Sequence, residues 1–422
     1  MRSLTADVSK GGTELIQSDM LERVEPKRVL RILVLYAGVG GGHESAARAI
    51  CAAIGEVDPQ ASAECLDVLK LAVPLFANAY CNGYTTLLQK APRLAGYLYE
   101  VLDDTSSDRS TFVDQLRFHV QVLGLNKLVS ILTQKPWDLV IHTHFLPLEI
   151  TAGLRRQGKI DIPHVTIVTD LFVHRLWIHQ PCDHFFVATQ AAAEHLLDCG
   201  ISSGDLTVSG IPIHPKFSRH PTKEEYQKAN GVDGTRPVVL ELGGGLGMGQ
   251  MQEAFLFLLK IERPLDILVV TGANRSLKDA LDRMEKGKRH RVQVLGMTSR
   301  MHELMSIADL VVSKPGGLTV SESLSCGLPI CIVSAFPGQE SYNSDYLLEN
   351  GAAVKINKIE SLTSKVSGLL DNPVRLRELR RNAIRLSKPL AAFAIAKKAL
   401  GMAAKYSLGK EASCRNQNGP LL

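Results

Sequence analysis

The stretch from Val311 to Pro329, VVSKPGGLTVSESLSCGLP, constrains this chain more than any other. Its apolar run ends in Lys314-Pro315-Gly316-Gly317, passes through Leu318 and Thr319 into helix-forming residues, and closes at Gly327 and Pro329. That order reads as strand, tight glycine loop, helix. Glycines let backbone approach a ligand closely, and the unbonded N–H groups of a first helical turn carry partial positive charge, so the loop suits an anion. Glu322 follows about one turn into the helix. A carboxylate beside a phosphate site repels it unless it accepts hydrogen bonds from something else, and ribose hydroxyls are suitable donors. The alternative is a surface loop carrying a solvated glutamate.

The same signature occurs near the start. Val29 to Leu35 form an apolar run, Tyr36-Ala37-Gly38-Val39-Gly40-Gly41-Gly42 a glycine loop, and His43 begins an alanine-rich helical segment that extends to Ile54. The spacing is not that of a dinucleotide fingerprint, and no P-loop Lys-Ser/Thr follows. His43 at a helix start can act as a base, cap the helix or donate to a phosphate, and position alone leaves these open. A third copy of the pattern comes later. Pro237 to Leu242 read as a strand, Gly243 to Gly249 as a glycine loop and Gln250 to Ile261 as a helix, followed by strands ending at Gly272-Ala273-Asn274 and at Gly296-Met297. Two alternating β/α series, each opened by a glycine loop, predict an α/β protein of two Rossmann-like domains facing each other across a cleft.

Length and composition fit that expectation. At 422 residues, with 45% hydrophobic and 22% charged, the chain resembles an ordinary protein with two or three cores. No run of 18 apolar residues occurs and the N-terminus lacks an apolar core, so neither a transmembrane helix nor a signal peptide is expected. Eight scattered cysteines without metal spacing read as reduced thiols of a cytoplasmic protein. The expected organisation is a tail over 1–28, a first domain over 29–215, a linker over 216–236, a second domain over 237–390, and a terminal helix over 391–422 that can pack back on the first domain before a final tail. The net charge of +5 is uneven: residues 371–410 hold ten Lys and Arg against Asp371 and Glu378. Such a segment is either a solvated helix face or a surface for anionic lipid.

From Leu69 to Tyr99 the character changes. Phe76, Tyr80, Tyr84, Leu87 and Leu88 recur at helical spacing, with Tyr97 and Tyr99 beyond Pro92. An aromatic stripe of this kind is a core face or a lipid-facing surface. Strands ending at His142-Thr143-His144 and at Thr169-Asp170, with His174, Trp177 and His179 following, bring imidazoles and a carboxylate together. A metal is conceivable there, but no helical pair with a third ligand is evident, so a polar cleft lining is the stronger expectation.

The Gly-Gly-Gly-His loop, the Lys314 to Leu324 stretch, and Phe336-Pro337-Gly338-Gln339-Glu340-Ser341-Tyr342-Asn343 together resemble glycosyltransferase family 28 over roughly residues 29–400. The nearest likeness is to monogalactosyldiacylglycerol synthases and bacterial diacylglycerol glucosyltransferases. The resemblance implies a GT-B fold and metal-independent, inverting transfer of a hexose from a UDP-sugar to diacylglycerol, with another lipid-linked acceptor, or a hydrolase or epimerase on the same fold, as alternatives. It implies no cofactor and a peripheral seat on the inner face of an anionic membrane. Carried over by position, Glu322 binds the ribose, and Gly316, Gly317, Leu318 and Thr319 cradle the diphosphate with Gly41, Gly42, Gly244 and Gly245. Asn274 joins the donor site and Met297 lies at the uracil. Gln339 and Glu340 read the sugar hydroxyls, His43 is the base, and Asp170 is the second catalytic candidate. Tyr80, Tyr84, His174 and Trp177 would face the acceptor lipid or membrane.

Overall fold

A computed structural model describes residues 28–90, 111–219, 223–245, 247, 250–333, 335 and 338–417. Strands β1 (Arg31–Tyr36), β2 (Ser62–Asp67), β3 (Leu139–His142), β4 (His164–Ile167), β5 (His184–Val187) and β6 (Leu206–Val208) form a parallel sheet in the order β2-β1-β3-β4-β5-β6. Strands β7 (Val238–Leu242), β8 (Asp266–Val270), β9 (Arg291–Leu295), β10 (Leu310–Ser313), β11 (Ile330–Ile332) and β12 (Ala353–Lys355) form a second, in the order β12-β11-β10-β7-β8-β9. The central strands are buried on both faces, which is why they read as continuous apolar runs and not as alternating ones.

In chain order, the helices that matter here are α1 (Gly42–Val57), α2 (Pro74–Lys90), α3 (Thr111–Gly124), α4 (Phe145–Arg156), α5 (Lys223–Ala229), α6 (Met251–Leu259), α7 (Arg275–Arg283), α8 (Gly317–Ser325), α9 (Gln339–Glu349), α10 (Pro373–Leu386) and α11 (Ala391–Gln417). The strand order reverses between β1 and β3 in one sheet and between β7 and β10 in the other. Connections leaving neighbouring strands in opposite directions open a crevice at their carboxyl ends. The loops after β1, β3, β7 and β10 therefore converge without any further device.

Two features differ from a simple bead-and-linker plan. The 216–236 stretch, expected as linker, carries α5, whose Tyr226 packs on the second half's core. Helix α11 lies on the first half, where Ala392, Ile395, Ala396, Ala399 and Ala403 pack in one cluster with Ile32, Ala47, Ile50 and Ile54. Alanines let α11 and α1 approach closely, and a buried isoleucine such as Ile395 contributes ~1.5–3 kcal/mol. The expected tail (1–27), Tyr97, Tyr99, Phe336 and Pro337 lie outside the described residues, as does the side chain of Tyr84.

Candidate active site

A cavity of about 450 Å³ lies between the two halves at the carboxyl ends of their strands. The β1–α1 loop enters from one side, with Gly40 and Gly41 at φ of 90° and 82°. The β7–α6 loop enters from the other, and a methyl group added to Gly41 would stand 3.4 Å from the Gly245 Cα. Backbone meets backbone there because neither residue carries a side chain. A closer approach occurs at the start of α8, where a Gly317 Cβ would fall 2.1 Å from the Thr169 carbonyl oxygen of the first half.

Of the donor residues expected from the sequence, Gly41, Gly42, Gly244, Gly245, Met297, Gly316, Gly317, Leu318, Thr319, Glu322, Gln339 and Glu340 all line this one cavity. Residues 314–319 lead into α8, so the first-turn N–H groups of that helix face the cavity with the dipole's positive end. The Lys314 ammonium lies beside them and donates to Glu340 Oε1 at 2.8 Å. Lys314 was read in the sequence only as part of the loop, and it brings a full positive charge to the cradle. The Glu322 carboxyl is pushed up to about 8 by burial, so a ligand offering hydroxyl donors would draw it into its ionised form. Met297, 70% exposed, sits at the rim with Thr298 and Ser299. His214 and Lys216 of the first half line the cavity together with His302 of the second, positions the sequence reading did not single out.

Asn274 departs from expectation. It does not line the cavity; its Oδ1 accepts from Leu277 N–H at 2.9 Å, capping α7, and its Nδ2 donates to the Gly247 carbonyl at 3.1 Å. An asparagine at a helix N-cap has one donor left over, and here that donor braces the glycine loop.

On the opposite wall, His43 is fixed by its neighbours. Its Nδ1 lies 2.7 Å from the Thr143 carbonyl oxygen and 3.0 Å from Thr169 Oγ1, while Thr143 Oγ1 donates back to the His43 carbonyl at 2.9 Å. A carbonyl only accepts, so Nδ1 carries the proton and Nε2 keeps its lone pair. The His43 pKa is depressed to about 4, because burial disfavours the cation more than the Thr143 bond restores it. That is lower than the ordinary value near 6.5 expected from the sequence: the imidazole is neutral at pH 7, and it accepts a proton readily only when negative charge enters the cavity. Asp170, at the end of β4, also lines the cavity, with its carboxyl pushed up to about 6 by burial and by Glu340 against a hydrogen bond from Asn343.

The residues expected at the acceptor side are arranged differently. Trp177 and His174 are 3% and 2% exposed, so neither reaches a lipid surface. Trp177 stands behind His43, ring centroids 6.2 Å apart, and packs edge-on against Phe145. His174 Nδ1 accepts from Leu176 N–H and caps a turn, as His144 Nδ1 does for Leu146 at the start of α4. Tyr80 is half-buried, stacking on Phe76 and meeting His144 at 6.4 Å. Histidines 142 and 164 pair edge to face beneath α4. Among the described residues, no three His, Cys, Asp or Glu side chains converge as metal ligands would. Exposed apolar side chains among the described residues of this region include Leu75 with Leu116, Val120 and Leu123 of α3, whose other face packs the half-buried Phe118 and Val122 on the core. The period of 116, 120 and 123 was available in the sequence, but a stripe pointing outward has the same period as one pointing inward.

Comparison with known proteins gives this arrangement relatives. A family model described as monogalactosyldiacylglycerol (MGDG) synthase matches residues 43–213, and one described as glycosyl transferases group 1 matches residues 223–386. A processive diacylglycerol beta-glucosyltransferase of Bacillus subtilis is 27% identical over 83% of this chain and 90% of its own length. One of Bacillus pumilus is 30% identical over 62% of this chain and 67% of its own length. Among solved structures, Acinetobacter baumannii MurG superposes with a TM-score of 0.54 at 17% identity, covering 88% of this chain and 99% of that one. The two-sheet, two-domain arrangement is thus of the GT-B type.

Proposed function

Because the chain belongs to glycosyltransferase family 28, in the group of the monogalactosyldiacylglycerol synthases and diacylglycerol glucosyltransferases, we propose that it moves a hexose from a UDP-sugar to the hydroxyl of diacylglycerol with inversion. The observation that carries this reading is one cavity with a neutral histidine of defined tautomer on one wall and a helix-dipole anion cradle on the other.

The chemistry follows from those two walls. His43 Nε2 takes the proton of the acceptor hydroxyl as its oxygen bonds to the anomeric carbon, and the bond from that carbon to the diphosphate breaks on the opposite face. The departing UDP carries its charge into the N–H groups at the start of α8 and toward Lys314, which are already oriented and need no reorganisation. The donor's own negative charge raises the His43 pKa from its depressed value, so binding prepares the base. Glu322 accepts from the ribose, and Gln339 and Glu340 face the sugar. In this reading the fixed dipoles and Lys314 supply the positive charge that a divalent cation supplies elsewhere, and turnover survives chelators.

A peripheral seat on the cytoplasmic face of a membrane belongs to the same proposal. No helix among the described residues is long and apolar enough to cross a membrane. Support comes from the outward leucines and valine of α3, which can enter a bilayer surface shallowly, and from the arginines of α10, which attract anionic headgroups. Labelled UDP-glucose, UDP-galactose and UDP-N-acetylglucosamine, each incubated with diacylglycerol in mixed micelles, test the reaction. A labelled glycolipid is the expected product. Free hexose alone, or an interconverted UDP-sugar, would overturn transfer in favour of hydrolysis or epimerisation.

A further inference from the structure

Asn343 is fully buried on α9, yet every polar contact it makes leaves its own helix. Its Oδ1 accepts from the Leu171 N–H at 3.0 Å, and its Nδ2 donates to the Pro315 carbonyl at 3.0 Å and points at Asp170 Oδ1 at 3.5 Å. Asp170 and Leu171 follow β4 in the first half; Pro315 lies in the anion-cradle loop of the second. Beside it on α9, Tyr342 stacks on Phe172 with ring centroids 5.1 Å apart, so α9 grips three consecutive residues, 170 to 172, from across the cleft. A carboxamide offers a donor and an acceptor on one short, flat group whatever the pH, which is what a carbonyl on one side and an N–H on the other demand.

We infer that Asn343 is a positioning residue that seats the Asp170 carboxylate in the cavity and does so only while the donor and acceptor halves are closed on each other. This rests on the glycosyl-transfer reading and extends it, because it makes one reacting wall conditional on the other. When the halves part, the Leu171 N–H and Asp170 lose the amide, and the carboxylate is free to turn into solvent. The groups that face Asp170 are Glu340 and Asn343 of α9, Lys314 through its bond to Glu340, and His43 through Thr169. Of these, the Asn343 amide favours the carboxylate form and Glu340 opposes it.

The test is the pH dependence of kcat/KM for the protein wild type at position 343, Asn343→Asp and Asn343→Ala, each carrying Glu322→Gln so that no donor-site carboxyl titrates near 8 over the limb of Asp170, with UDP affinity measured by calorimetry on each. Asn343→Asp keeps the acceptor for Leu171 and loses the donor to Asp170, adding charge beside it. Its acidic limb should move upward by about one pH unit or more. Asn343→Ala should move it in the same direction by less. UDP affinity should stay within about threefold in both. If the limb stays where it is with Asn343 in place while rate falls uniformly with pH, Asn343 is only structural and the inference is wrong. A fall in UDP affinity that accounts for the loss in rate would make it a donor-site residue instead. Should Asn343→Asp not fold, Asn343→Ala decides alone. A carbon-13 titration of the Asp170 carboxyl, assigned by its loss in Asp170→Asn, reads the same shift in protein without substrate. It therefore separates failure of this inference from failure of the transfer reading, which wild type would reveal by making no glycolipid.

Discussion

At the scale of single residues, two carboxyls of the cavity, Asp170 and Glu322, and the imidazole of His43 have been moved away from their ordinary pKa values by burial, and each shift has a measurable consequence. Glu322, raised to about 8, is mostly protonated at pH 7 in the free protein. Accepting ribose hydroxyls favours the carboxylate, so UDP binding should release a proton at pH 7, and affinity should rise with pH until it levels above about 8. Calorimetry in buffers of different ionisation enthalpy reads that proton directly. At pH 8.5, where the carboxylate is formed, Glu322→Ala should cost about 2–3 kcal/mol, roughly 30- to 150-fold in Kd. Unchanged affinity would remove the ribose assignment. His43→Ala should lower kcat by roughly 10²- to 10⁴-fold with UDP affinity near wild type, the usual worth of a positioned base. The pH profile of kcat/KM, which reports free-enzyme groups, then divides the labour. Asp170 is ionised above about 6 and His43 neutral above about 4. In wild type the acidic limb is set near 8 by Glu322, so the profile is taken in a Glu322→Gln background. A limb near 6 there means Asp170 must be ionised, and one near 4 means that His43 alone governs.

At the scale of elements, the informative contact is where α8 begins. Its first residue comes so close to the first half that a Cβ on Gly317 would meet the Thr169 carbonyl at 2.1 Å and Ile211 Cδ1 at 3.1 Å. Backbone cannot rotate aside as a long side chain can, so Gly317→Ala must push the two halves apart. That displaces the anion cradle from His43, and kcat/KM should fall at least tenfold although alanine is the better helix former. Gly55→Ala within α1 is the control, since its new methyl meets nothing within 4 Å and the residue does not line the cavity. Equal activity of the two variants would show that the close approach does not set the geometry of the site.

For the whole molecule, the question is how a fold with no membrane-crossing helix among its described residues reaches a lipid acceptor. The exposed Leu116, Val120 and Leu123 of α3, with Leu75 in the first turn of α2, give an apolar face, and α10 gives the cations. Sedimentation with vesicles should therefore be stronger on anionic than on neutral lipid and should weaken as salt rises. Replacing Leu116, Val120 and Leu123 together by serine should reduce vesicle binding at least tenfold and leave the denaturation midpoint nearly unchanged, because those side chains are already in water. Undiminished binding by that variant would move the docking surface elsewhere.

How much of this was legible beforehand depended on how local the cause was. Glycine loops between apolar runs and helices announce themselves within a dozen residues, since a tight turn needs glycine and a buried parallel strand needs an unbroken apolar run. Hence two Rossmann-like domains, and a glycine loop whose Gly316, Gly317, Leu318, Thr319 and Glu322 line the cavity, could be written from the sequence. The partners of Asn343, the bond from Lys314 to Glu340, and the packing of buried Trp177 on His43 could not, because each depends on residues brought together from more than 20 to more than 170 positions away. Periodicity shows that α3 has faces but not which one meets solvent. What the sequence determined by itself was backbone conformation and the order of elements. What only the tertiary structure decided was which polar groups lose their water, and that loss moves His43 down, moves Asp170 and Glu322 up, and makes a site of them.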